Sequence, residues 1–165
     1  MIAIKKLLVS GVVLGASAMA TSAGAVDDKV IPGTSCQVAS GTADYIIDGS
    51  VQNFSTTAGV ELDCPLVRDN IGTATPVINN ATVWVINPGP TNTSVSCSLY
   101  TESHNTGAFM GQTVNSSSIN ANPQPLNFGA VNGAANWAVH VRCSLPPSLA
   151  PVGASGLKNI RWEEP

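Results

Sequence analysis

Every cysteine of this 165-residue chain sits in the same short phrase. In "LDCPL", "VSCSL" and "VRCSL", Cys64, Cys97 and Cys143 have an aliphatic residue two positions before and a leucine two positions after. "TSCQV" around Cys36 is a looser version. Residues two apart share a face in a β-strand, where successive side chains alternate. Each cysteine is therefore expected to point into a core from a strand, with apolar neighbours on both sides.

The alternation extends around the phrase. In "WAVHVRCSL", Trp137, Val139, Val141, Cys143 and Leu145 fall on one face, with Ala138, His140, Arg142 and Ser144 on the other. "VSCSLY" and "VELDC" repeat the pattern, a half-buried antiparallel strand with its apolar side inward. No helical period survives beyond the first 25 residues, and turn formers interrupt nearly every segment. Strands are expected at Ser35–Ala39, Ala43–Ile47, Ser50–Ser55, Val60–Cys64, Thr82–Ile86, Ser94–Thr101, Leu126–Ala130, Trp137–Leu145 and Asn159–Glu163. Pro65 and Pro146-Pro147 mark strand ends or free edges, because proline has no N–H for a ladder. "TVWVI" is apolar on both faces and is expected where a loop or a terminus covers its outer side. "INPGPTNTS" should turn it into a hairpin with "VSCSLY". Met110–Pro125, polar and rich in Ser and Asn, reads as a long loop. The expected fold is all-β, an antiparallel β-sandwich of about 7–9 short strands with two disulfides.

The disulfides need an oxidising compartment, and the N-terminus supplies a route to one. Lys5 and Lys6 precede an uncharged run, Leu7–Ala20, and Ala23-Gly24-Ala25 matches the A-x-A cleavage preference. Residues 1–25 therefore read as a signal peptide of bacterial character, and 26–165 as one secreted or periplasmic domain. The apolar run is short and rich in Gly, Ala and Ser for a membrane span. Cleavage leaves five basic against ten acidic residues, a net charge of −5. That balance argues against nucleic acid or an anionic membrane as partner. Four cysteines allow three pairings. Cys97 with Cys143 suits the two most regular strands, which share "V-x-C-S-L", as a bridge through the core. Cys36 can reach Cys64 at a sheet margin.

Chemistry is harder to find. Cysteine spacings of 28, 33 and 46 residues lack the close pairs of a zinc site. No "GxSxG" elbow or H-x-x-x-H pair is present. Of the two histidines, His140 lies outward beside Arg142, and His104 lies in "TESHNTG". The carboxylate pairs Asp44/Asp48 and Asp63/Asp69 could serve as acid and base, but "DG" and "DN" are also ordinary turn formers. Calcium ligands could come from Asp27, Asp28, Asp44 or Asp48, though no loop alternates oxygen donors. Among the tryptophans, Trp137 is expected in the core. Trp84 and Trp162 could instead stack on a sugar, although a core of this size can also house them. The candidate ligand-contacting residues are thus Trp84, His104, His140, Arg142 and Trp162. No metal or other cofactor is expected.

Two classes of function follow. The favoured one is a non-catalytic binding or surface-interaction module for a glycan, a wall component or a cell-surface protein. The alternative is a small secreted hydrolase using a carboxylate pair or a histidine. A subunit that polymerises by strand exchange would need a donor segment, and "VDDKVIPGTS" is broken by Pro32 and Gly33.

Overall fold

In the computed structural model, the described residues are 27–46, 48–69, 77–88, 93–103, 105–116, 120–134, 137–148 and 153–165. The expected signal segment, His104 and Ile47 lie outside them. The described chain is an all-β sandwich of 11 strands in two antiparallel sheets. Its strands are β1 (Asp27–Pro32), β2 (Gln37–Ser40), β3 (Asp44–Tyr45), β4 (Val51–Asn53), β5 (Val60–Leu66), β6 (Asn80–Asn87), β7 (Ser96–Glu102), β8 (Phe109–Asn115), β9 (Asn120–Phe128), β10 (Ala138–Leu145) and β11 (Ser155–Glu164). The first sheet runs β3-β4-β11-β6-β9, with β1 also paired to β11. The second runs β2-β5-β10-β7-β8.

The alternation read from the sequence sets the core. Val60, Leu62, Cys64 and Leu66 of β5, and Val139, Val141, Cys143 and Leu145 of β10, are buried. From the first sheet they meet Ala81, Val83 and Val85 of β6, and Leu157, Ile160 and Trp162 of β11. Leu157 and Ile160 stand three apart, a spacing that strict alternation cannot bury on one face. A bulge between Leu157 and Asn159 restores the phase. Lys158, the bulged residue, reaches Asp48 at 3.1 Å. At Gly33 a β-carbon would stand 2.3 Å from the Leu157 carbonyl oxygen, so only glycine lets the chain cross β11 there.

Both expected disulfides form, Cys36–Cys64 and Cys97–Cys143. Cys97 and Cys143 are register partners on adjacent strands, with their Cα atoms 4.1 Å apart. The bridge thus faces the core from within one sheet rather than crossing between the two. Cys36 ends a 3-10 turn, Gly33–Ser35, immediately before β2, so the strand expected from Ser35 begins later.

Four further expectations are corrected. β6 and β7 lie in different sheets, so "INPGPTNTS" connects the layers and makes no hairpin. Met110–Pro125 contains most of β8 and of β9. Both are edge strands, and an edge needs no apolar alternation to hold its ladder. Pro123 and Pro125 are tolerated in β9 because only β6 pairs with it. The segment Asp27–Pro32, given no strand by the alternation, is β1; Pro32 is its last residue, where the ladder ends. Trp137 lies one residue before β10 and is half-buried, outside the buried core. Pro65, by contrast, sits inside β5 at an unpaired margin, since β2 pairs only as far as Asp63.

Candidate functional site

The outer face of the second sheet carries a groove of about 490 Å³. Its floor follows from the register of β10, β7 and β8. Ala138, Glu102 and Phe109 form one row; His140, Tyr100 and Gly111 form the next; Arg142, Ser98 and Thr113 form the third. All of these alternate away from the buried positions Val139, Val141, Leu99 and Cys97.

Tyr100 is the centre. Its ring stacks on His140 with centroids 5.4 Å apart and planes 12° from parallel. The Arg142 guanidinium carbon lies over the same ring at 5.6 Å from its centroid. Both neighbours belong to β10. On the β8 side the cross-strand neighbour is Gly111, which has no side chain, and the space left there is part of the groove. A β-carbon on Gly111 would stand 2.5 Å from the Leu99 carbonyl oxygen and 2.7 Å from the Tyr100 β-carbon. The glycine therefore lets β8 lie close while leaving an open slot beside the ring. Phe109, 75% exposed, bounds the slot at one end. At the other, the hydroxyls of Ser98 and Thr113 hydrogen-bond to each other at 2.8 Å.

Behind the ring, His140 Nδ1 stands 3.3 Å from Asp63 Oδ1. The two buried atoms face each other off the line of a hydrogen bond, and among the described residues neither has a hydrogen-bond partner. Arg142 reaches the second Asp63 oxygen only at 4.0 Å. Burial pushes the Tyr100 hydroxyl above the ordinary tyrosine value, and the Asp63 charge adds to the shift.

Of the residues singled out from sequence, His140 and Arg142 are together in this site. Trp84 is half-buried on the outer face of the other sheet, where its register partners are Asn159 and Pro125. Trp162 is only 2% exposed and corrects the idea of a surface stacking residue; its indole N–H donates to Glu164 Oε1 at 3.3 Å inside the core. The carboxylate pairs divide among separate partners. Asp48 accepts from the backbone and hydroxyl of Ser50 and meets Lys158, whereas Asp69 meets Lys29. Asp27 and Asp28 meet Lys29 and Arg161 respectively. Among the described residues, no group of three His, Cys, Asp or Glu side chains gathers as metal ligands would. Sequence reasoning missed Tyr100, Phe109 and Gly111. The one available signal was the outward parity of Tyr100, two residues beyond Ser98 in a strand already recognised.

No protein-family model matches the chain, and no curated protein matches its sequence. Solved structures do resemble its fold. A family 6 carbohydrate-binding module superposes with a TM-score of 0.50 at 11% identity, covering 83% of this chain and 94% of that one. A CBM36 module in complex with calcium and xylotriose gives 0.49 at 11% identity, covering 82% and 99%. A family two carbohydrate esterase from Cellvibrio japonicus gives 0.49 at 13% identity, covering 85% of this chain but 34% of the esterase's length. At these identities the likeness is one of fold.

Proposed function

We propose that this protein is an exported, non-catalytic binding module whose groove on the second sheet takes a glycan. The observation that carries the reading is the slot beside Tyr100, kept open by Gly111 and bounded by Phe109. An aromatic ring with one free flank, set on a rigid sheet, offers a pyranose an apolar face to stack on. Hydroxyl, guanidinium and carboxylate groups around the ring can answer the sugar hydroxyls. The volume lies in the ordinary range of small-ligand sites. Residues 1–25 act as the export signal, and the two disulfides suit the oxidising space beyond the membrane.

The hydrolase alternative draws less from the geometry. His140 is committed to stacking on Tyr100, and its Nδ1 faces Asp63 on β5, on the side of the ring away from Gly111. The deciding experiment is isothermal titration of the purified protein with cello-, xylo- and manno-oligosaccharides, in wild type and Tyr100→Ala. Binding that is lost at least tenfold in the variant, with its melting temperature retained, supports the reading. Product release from any of these sugars would move it to the hydrolases. Intact-mass analysis of exported material should find a chain beginning at Val26.

A further inference from the structure

Two charged groups flank the Tyr100 slot and are largely unused by the fold. Arg142 has its side chain 53% exposed, and its carboxylate contact with Asp63 is at 4.0 Å. The Glu102 carboxylate, at the opposite end of the slot, has no ion pair or hydrogen bond among the described residues. One lies a row beyond Tyr100 on each side, so a ring stacked on Tyr100 has an acceptor at one end and a donor fork at the other. Among the described residues, the groove lining holds this one acid and this one base. An anionic ligand that gains Arg142 must also approach Glu102, and a cationic ligand meets the reverse conflict. An uncharged polyhydroxylated chain can use both without that conflict, because a hydroxyl donates to a carboxylate and accepts from a guanidinium.

Resting on the glycan reading above, we infer that the groove selects an uncharged oligosaccharide, with Glu102 and Arg142 reading hydroxyls at the two ends of the Tyr100 slot. The lined stretch of β8, from Phe109 to Thr113, spans about 14 Å at the rise of an extended strand, longer than any single pyranose ring. The ligand is thus a short chain.

The test titrates the protein with the uncharged hexasaccharides of glucose, xylose and mannose and with hexagalacturonate, at about 50 and 500 mM NaCl, where exposed ion pairs are screened very differently. At least one uncharged hexasaccharide should bind, with less than about a twofold change across the salt range. Glu102→Gln and Arg142→Met, the latter keeping its apolar stem beside Tyr100, should each weaken it by about tenfold or more, as loss of a hydrogen bond to a charged group does. Thermal melts confirm that both variants fold. Tighter binding of hexagalacturonate, weakened by salt, would overturn this inference and leave the glycan reading standing. Binding of an uncharged sugar unaffected by both substitutions would overturn it equally. No binding of any sugar by folded wild type would overturn both.

Discussion

At the scale of single residues, the fold concentrates charge where β1 meets β11. Glu164 is fully buried, and Lys29 donates to it at 2.9 Å while also meeting Asp69 at 3.1 Å and Asp27 at 3.4 Å. Burial, the largest single influence on Lys29, opposes its charge. Its hydrogen bonds with Glu164, Asp69 and Asp27 together outweigh it, and its pKa rises above the ordinary lysine value. Removing the amine takes the cation from a buried carboxylate that also accepts from the Trp162 indole N–H, so Lys29→Met should destabilise by about 3 kcal/mol, as breakage of a buried pair does; chemical denaturation measures it. Asp48 behaves differently. Its carboxyl, held by Ser50 and then by Lys158, falls to about 2 from an unfolded value of 3.8. A lowered pKa stabilises above the unfolded value and ceases to do so as pH falls through the folded one. Asp48→Asn should therefore melt below wild type at neutral pH, with the gap closing between about pH 4 and pH 2.

Strands differ sharply in what holds them. β10 lies at the centre of its sheet and alternates buried with outward residues throughout, whereas the residues of β8 are exposed except for half-buried Val114. β8 is kept in place by its ladder with β7 and by Gln112, whose amide donates to the Ala130 carbonyl at 3.0 Å and accepts from the Gly129 N–H at 2.9 Å. That clamp ties the groove's outer wall to the loop after β9. Hydrogen exchange should be fastest in β8 and slowest in β10 among the strands of this sheet, because local opening follows buried contact. Gly111→Val should fill the slot and push β8 from β7. Oligosaccharide binding should be lost and exchange accelerated throughout β8, while β5 and β10 stay protected.

Across the whole molecule, Cys97–Cys143 joins neighbouring strands of the second sheet and Cys36–Cys64 ties the turn before β2 to β5, so the sheet that carries the groove is the stapled one. The two layers are held to each other by the apolar core and by buried amides such as Asn53, which donates to the carbonyls of Ala58, Leu145 and Pro146. Loops of 28 and 46 residues make the bridges worth about 3.5 and 4 kcal/mol in the chain-entropy account. A domain of this size has only about 5–15 kcal/mol in total. Replacing Cys97 and Cys143 together by alanine should lower the urea midpoint by roughly a third or more of its value, or prevent folding at 37 °C.

Local alternation was enough to specify strand content, the inward cysteines, and the outward parity of His140 and Arg142, because a period of two is written in residues a few positions apart. It also indicated which cysteines could pair, through the shared phrase in β7 and β10. It failed wherever burial did not force a pattern. β1, β8 and the first part of β9, before Leu126, carry little apolar rhythm because edge strands are held mainly by backbone ladders. The start of β11 was hidden by the bulge at Lys158, which shifts the phase of Leu157 against Ile160. The groove itself depends on register, since Tyr100 lies opposite both His140, 40 residues later, and Gly111. Which strands become neighbours is decided by how two whole sheets bury their inner faces together, and no local spacing encodes that choice.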